Sequence, residues 1–214
     1  MHRIRIRFRR GEEVKFISHL DIIRLWQRAM RRAAIELAYS EGFNPHPRIS
    51  LAAPLALGVI SEAELMDIYT TRFMSQHSFA ACVGRQLPPG IEIIQVYHIA
   101  TTLPSLQAQM RFAEYLVKSK AEEGENYVNE KITSLMARES LPWQHQRDTG
   151  PRKYDLRKLI DGLWLVGWQG GCASIGMRLR CDSKGSGRPE QVIKALELQP
   201  PTSIRRTGLV LETS

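Results

Sequence analysis

Residues 1–35, MHRIRIRFRRGEEVKFISHLDIIRLWQRAMRRAAI, contain one strand and one helix that together decide the fold. Residues 3–9 alternate arginine with an apolar residue, and a period of two predicts a strand with one apolar face and one row of arginines. From Ser18 onward the apolar residues recur at helical spacing, which predicts a helix to about Ile35. Ser18 and Asp21 fit its first turn, because an N-cap serine accepts a backbone N–H and a nearby acid favours the positive helix end.

The rest of the chain continues this alternation of strands and helices. Strands are predicted over 64–71 and 91–99, with a helix that begins at Ser75 between them. The first half therefore has the order strand, helix, strand, strand, helix, strand, which is a ferredoxin-like (βαββαβ) unit, and the second half follows the same order. The sequence predicts an α+β protein of two tandem ferredoxin-like units, with domains at 1–100 and 110–214 and a linker at 101–109.

Charge and composition limit what the chain does. Its net charge is +8, and the excess lies in residues 1–50 (+6) and 151–214 (+5), which points to an anionic partner. No apolar run approaches the ~20 residues of a membrane helix and the N-terminus lacks an apolar signal segment, so we expect a cytoplasmic protein with no membrane partner. Three scattered cysteines are too few for a disulfide framework, a zinc site or an iron–sulfur cluster, so no metal or cofactor is expected.

Two groups of arginines are candidate nucleic-acid contacts. On the strand, Arg5 and Arg7 belong to the row that we expect on the open face of a sheet. On the helix, Arg24, Arg28 and Arg31 lie opposite the apolar stripe, and like charges at this spacing repel unless acids or a bound polyanion compensate them. Solvated faces are the alternative, and the sequence leaves open whether the two basic ends of the chain meet in one surface.

The loop at residues 39–50 is a second candidate site. Two prolines stiffen it, and its polar and aromatic residues are Tyr39, Phe43, Asn44, His46 and Arg48. Bases of single-stranded nucleic acid stack on aromatic rings, while asparagine and arginine bind base edges. This loop is therefore predicted to contact nucleic acid or a partner protein. The alternative is a structural crossover in which the aromatic rings are buried.

The C-terminal half contains a third candidate site. Gly185, Ser186 and Gly187 precede a helix and are predicted to bind a phosphate, since glycines free the backbone to wrap an anion. The basic residues expected to contact nucleic acid in this half are Arg152, Arg157, Arg188, Arg205 and Arg206. An ordinary turn and a solvated basic face are the alternatives.

Six segments of the chain resemble one known family. They are FISHLDIIRLWQRAMRRA (16–33), AYSEGFNPHPRIS (38–50), APLALGVISEAELMDI (53–68), PRKYDLRKLI (151–160), GSGRPEQVIKAL (185–196) and IRRTGLVLE (204–212). Together they resemble the radical-SAM-linked protein family, whose bacterial members are fused to, or encoded beside, a radical-SAM protein. The resemblance implies that the iron–sulfur and SAM chemistry belongs to that partner. Tandem ferredoxin-like domains with basic faces also look like the RNA-processing endoribonucleases of CRISPR systems, which is a likeness of architecture alone.

These observations lead to three functional hypotheses. The first is a non-catalytic accessory that binds RNA, such as tRNA or rRNA, and presents it to a radical-SAM partner. The second is a metal-independent endoribonuclease that uses His19 or His46 as general acid or base. The third is an interaction module that docks onto the radical-SAM partner through the 39–50 loop. The sequence names neither the substrate nor the oligomeric state, and it leaves open whether the chain is an enzyme.

Overall fold

A computed structural model describes residues 1–147 and 150–212, without the side chains of 146 and 147, and the chain divides into two compact units. Among the described residues, unit 1 comprises Met1–Met110 together with Leu211 and Glu212, and unit 2 comprises Arg111–Val210. Both units combine helices with β-sheet, which confirms the predicted α+β class. Within the described residues, no helix combines the length and the apolar character needed to cross a membrane.

Unit 1 contains the predicted first strand and helix. Its elements are β1 (His2–Arg10), α1 (His19–Arg32), β2 (Ile49–Leu51), β3 (Ile60–Thr70), α2 (Gln76–Gly84), β4 (Ile91–Ile99) and α3 (Leu106–Gln109). The strands lie in the order β4-β1-β3-β2, and each neighbouring pair is antiparallel. A short 3-10 turn at Glu12–Val14 lies between β1 and α1.

The core of unit 1 forms where β1 meets α1. Ile4, Ile6 and Phe8 on one face of β1 are completely buried, as the period of two predicts. The ring of Phe8 packs edge-on against Trp26 of α1, with 5.0 Å between ring centroids. The helix begins where predicted, because the Ser18 hydroxyl accepts the backbone N–H of Asp21 at 3.2 Å.

The predicted linker at 101–109 lies within unit 1. Leu106 of α3 is completely buried. The carbonyls of Leu103 and Pro104 each accept a hydrogen bond of 2.7 Å from the guanidinium of Arg3 on β1. This segment therefore packs beside the face of β1 that carries the arginines.

Unit 2 has a second sheet and an additional hairpin. Its elements are β5 (Met110–Lys120), α4 (Glu125–Ala137), β6 (Pro142–Arg147), β7 (Gly150–Asp155), β8 (Ile160–Gln169), β9 (Cys172–Asp182), β10 (Gly185–Ser186), α5 (Pro189–Ala195) and β11 (Ser203–Leu211). The main strands lie in the order β8-β9-β5-β11, and the two-residue β10 pairs with the end of β9. β6 and β7 form a separate antiparallel hairpin between α4 and β8.

Candidate nucleic-acid interface

A groove of about 670 Å³ lies between α1 and the end of α2 in unit 1. Its lining includes four exposed arginines, three of which come from α1 and one from the C-terminal cap of α2. We call it the arginine groove and define it by Phe16, Asp21, Arg24, Arg28, Arg32 and Arg85. Residues 24, 28 and 32 share one face of α1 because each is one turn from the next.

Positive charge dominates the arginine groove. Asp21 is the one carboxylate in the groove lining that the structure describes, which leaves a net three positive charges. Its pKa is lowered, first by a hydrogen bond from the Ser18 hydroxyl and then by one from Arg24, so it stays ionised and engaged at the helix start. Arg24 forms an ion pair with Asp21, with 3.0 Å between Nη1 of the arginine and Oδ1 of the carboxylate.

The other three arginines differ in how firmly they are held. Arg32 donates to the carbonyl of Gln86 at 2.6 Å, which ties α1 to the end of α2. The guanidinium groups of Arg28 and Arg85 form no hydrogen bond or ion pair with any residue that the structure describes. Unpaired guanidinium groups in a groove are the strongest candidates for phosphate contacts, because their forked donors match phosphate oxygens.

An aromatic ring also lines the arginine groove. Phe16 lines it and leaves 71% of its surface exposed, with the Lys15 ammonium 5.3 Å from the ring centroid. An exposed aromatic face next to free guanidinium groups can stack on a base while the arginines hold the phosphates. Sequence reasoning missed Phe16, Arg32 and Arg85 as site residues.

The prediction of an arginine row on an open sheet face is wrong for the first half of β1. Arg3 and Arg5 are buried, and both donate to the carboxylate of Asp67 on β3 at 2.6 to 3.0 Å. The 101–109 segment covers this face, so Arg5 is removed from any nucleic acid. Arg7 is half-buried, and the exposed Arg9 pairs with Glu92 at 2.7 Å. Arg31 is exposed but does not line the groove.

The 39–50 loop is an irregular hairpin with an exposed tip. The amide of Ser40 donates to the His46 carbonyl at 2.8 Å, and the His46 amide donates back to the Ser40 hydroxyl at 3.0 Å. Phe43 is fully exposed and Tyr39 is 53% exposed, which excludes the alternative in which these aromatic rings are buried. Asn44 and His46 are also exposed, while the Arg48 guanidinium lies 4.2 Å from the ring centroid of Tyr69.

The two histidines named as candidate catalysts have different surroundings. His19 begins α1 and is half-buried, and its pKa is lowered by this burial and, to a lesser degree, by the charge of Arg10. The His46 side chain forms no hydrogen bond with the described residues. In the described part of the chain, neither imidazole is hydrogen-bonded to a serine, cysteine or carboxylate as a nucleophile and base would be.

Unit 2 brings some of the predicted C-terminal site together in a pocket of about 290 Å³. We call it the basic pocket, and it is lined by His145, Arg152, Tyr154, Asp155, Lys158, Lys184, Ser186 and Arg188, among others. The remaining predicted arginines lie elsewhere: Arg205 is exposed outside the basic pocket, while Arg157 donates to the carbonyls of Ile160 and Met136, and Arg206 is completely buried. Structural roles thus account for Arg157 and Arg206, and the prediction that they contact nucleic acid is wrong.

The glycines before α5 serve packing rather than anion binding. A Cβ on Gly185 would lie 2.7 Å from a methyl of Leu159, and one on Gly187 would lie 2.9 Å from the Cβ of Leu179. The backbone N–H of Gly185 donates to Asp182, and that of Gly187 donates to the Arg180 carbonyl. Because both amides are already bonded, the predicted backbone cradle for a phosphate at these glycines is wrong. Of the three residues predicted to bind the phosphate, Ser186 remains a candidate, and it lines the basic pocket.

Comparison with known proteins identifies a family and a fold. A family model described as "Uncharacterized protein conserved in bacteria (DUF2344)" matches residues 3–189. No curated protein matches the sequence significantly.

The chain is also similar to solved structures. A structure described as "Crystal Structure of a Cbf5-Nop10-Gar1 Complex" matches over 97% of this chain, with a TM-score of 0.53 and 8% identity. One described as "Structure of H/ACA RNP bound to a substrate RNA containing 2'-deoxyuridine" matches with a TM-score of 0.48 and 10% identity. This chain spans about half the length of each, 48% and 47%. At these identities the likeness concerns the fold alone.

Proposed function

We propose that this chain, which belongs to the bacterial family DUF2344, binds RNA through the arginine groove and presents it to a radical-SAM protein. The observation that carries the RNA-binding part is the convergence of four arginines from two helices on one groove that contains one described carboxylate. Such a concentration of like charge is unfavourable unless an anion neutralises it.

The length of the groove favours a polyanion over a single ion. Arg24 and Arg32 are eight positions apart on α1, so about 12 Å of helix axis separates them. The net three positive charges of the lining exceed the charge of one phosphate, whereas successive phosphates of a strand can contact successive arginines. The exposed ring of Phe16 supports a single-stranded ligand, because bases must be unstacked to lie against an aromatic side chain.

The accessory part of the proposal rests on sequence resemblance. The six segments quoted above are similar to the radical-SAM-linked family, and they include the whole of the 39–50 loop. Its exposed tip residue, Phe43, supports a docking role for this loop, since an exposed aromatic anchor on a stiffened loop loses little freedom on binding. The loop would then contact the partner while the arginine groove holds the RNA.

The finer fold assignment is part of the same proposal. The strand order β4-β1-β3-β2 in unit 1, with α1 after β1 and α2 after β3, supports a ferredoxin-like unit. In unit 2 the order β8-β9-β5-β11 supports a second unit of this kind, with the β6-β7 hairpin inserted after α4.

The RNA-binding claim is tested by measuring the affinity of the purified chain for total small RNA across a salt series. Neutralised phosphates release counterions, so we expect binding at low salt that weakens steeply as salt is added. Absent binding at low salt, or an affinity independent of salt, would contradict the proposal.

The docking claim needs a separate experiment. We expect the chain to capture its radical-SAM partner after nuclease treatment, and Phe43→Ala to abolish that capture. Phe73→Ala is the matched control, because Phe73 is also exposed (65%) in unit 1 but lies outside the loop. Equal capture by both variants would exclude the loop as the docking element.

A further inference from the structure

The basic pocket of unit 2 carries an inference that is independent of the arginine groove. Four of its lining residues are cations, and they come from three separate segments: Arg152 from β7, Lys158 from the turn before β8, and Lys184 and Arg188 from the segment around β10. Residues 152–158 and residues 184–188 are separated by β8 and β9, so folding brings these two basic stretches together.

The negative charge in the basic pocket is already engaged. Asp155 is its one carboxylate among the described lining residues, and its Oδ1 accepts the backbone N–H groups of Leu141 at 2.8 Å and Arg157 at 3.1 Å. These hydrogen bonds, of which the one from Leu141 has the largest effect, lower the pKa of Asp155. Asp155 is therefore ionised while it binds the backbone of Leu141 and Arg157. The lining keeps a net three positive charges.

Two of the four cations in the basic pocket contact ring side chains rather than carboxylates. A guanidinium nitrogen of Arg188 lies 3.1 Å from Nε2 of His145, to which it donates when the imidazole carries its proton on Nδ1. Tyr154 donates to Gln191, and its ring lies 5.9 Å from the guanidinium of Arg152. The Lys184 ammonium forms no hydrogen bond or ion pair with any residue that the structure describes.

We propose that the basic pocket binds a phosphomonoester carried on a ligand of nucleotide size. A phosphomonoester carries about −1.5 to −2 charges near neutral pH, which matches the excess positive charge better than a singly charged diester does. The volume of about 290 Å³ lies at the small end of ligand pockets, enough for one nucleotide and too little for a folded strand. Arg152 and Arg188 supply forked donors, Lys184 a point charge and Ser186 a hydroxyl.

The test is calorimetric titration of the full chain with AMP, adenosine and inorganic phosphate. We expect AMP to bind, adenosine not to bind, and Lys184→Ala and Arg188→Gln each to weaken AMP binding about tenfold or more. Lys194→Ala is the matched control, because Lys194 is an exposed lysine of α5 outside the pocket lining and its removal changes the net charge equally. The control variant should bind AMP like the wild type.

Two results would overturn the proposal. One is equal binding of AMP and adenosine, or binding of neither. The other is an equal loss of affinity in Lys184→Ala and Lys194→Ala, which would assign the effect to net charge rather than to a site. The Lys184 side chain forms no hydrogen bond or ion pair with the described residues, so Lys184→Ala tests the site even if Arg188→Gln disturbs the fold.

A second arm identifies the source of the phosphomonoester. Short oligoribonucleotides with a 5′-phosphate or a 5′-hydroxyl are titrated into Arg28→Ala/Arg85→Ala, which removes the two unpaired arginines of the groove. If the oligoribonucleotide with a 5′-phosphate binds more tightly than the one with a 5′-hydroxyl, and Lys184→Ala removes the difference, the ligand of the basic pocket is an RNA end. If AMP binds and the two oligoribonucleotides do not differ, the ligand is a free nucleotide. Loss of RNA binding by the groove variant leaves the AMP result intact, so failures of the two proposals are distinguishable.

Discussion

Replacing the two unpaired arginines of the groove by alanine, in Arg28→Ala/Arg85→Ala, should reduce RNA affinity and also its dependence on salt. Each phosphate neutralised on a single strand contributes about 0.7 to the slope of log affinity against log salt. Arg24 is neutralised by Asp21, so three arginine–phosphate contacts give a slope of about −2.1, and the one that remains in the variant, that of Arg32, gives about −0.7. From about 50 to about 200 mM salt, affinity should fall about 18-fold for the wild type and about threefold for the variant.

The assay is filter binding of small RNA over that salt range, with Arg9→Ala/Arg72→Ala as the control. Arg9 and Arg72 are exposed residues of unit 1 that pair with Glu92 and Glu36, outside the arginine groove. The control loses the same charge, so it should keep the wild-type slope if the groove binds the phosphates. An unchanged slope in Arg28→Ala/Arg85→Ala, or an equal change in the control, would refute the reasoning.

Three further predictions concern stability and are measured by denaturant unfolding. Asp67→Ala leaves two buried guanidinium groups without their carboxylate and should lower the free energy of unfolding by about 3–5 kcal/mol. Glu92→Ala breaks an exposed pair and should lower it by less than about 1 kcal/mol. Equal losses in the two variants would contradict a buried ion cluster around Asp67. Ser18→Ala removes the N-cap of α1 and should cost about 1 kcal/mol, and an unchanged unfolding free energy would exclude that role. The folded-state pKa of His19 is lowered from 6.5, so as the pH falls the unfolded chain takes up the proton before the folded chain does, and stability should fall as pH drops below 6.5. His19→Gln should remove this part of the pH dependence of the free energy of unfolding. Identical pH profiles for the wild type and this variant would contradict the role of His19.

The strands and helices could be predicted where periodicity and capping act locally. Ser18 and the spacing of Ile22 and Trp26 were sufficient for α1, and the alternation in residues 3–9 was sufficient for β1. The periodicity of a strand does not predict which of its faces another segment of the chain covers. Arg5 was therefore expected on an open face, although Asp67 and Gln109 of the 101–109 segment both accept hydrogen bonds from it.

The candidate sites were predictable only in part, for the same reason. Arg24 and Arg28 follow from helical spacing, whereas Arg85 joins them only because α2 ends beside α1. Glycines at 185 and 187 suggest an anion loop in sequence, but the close approach of two leucine side chains explains them. Such distant contacts are set by tertiary packing and have no local pattern.

The central claim is that RNA lies in the arginine groove, and ultraviolet cross-linking of small RNA to the purified chain tests it most directly. Mass spectrometry of the cross-linked peptides should find the modification at Phe16 and in the peptides of α1 and the end of α2. Cross-links confined to unit 2, or to the 39–50 loop alone, would contradict the account.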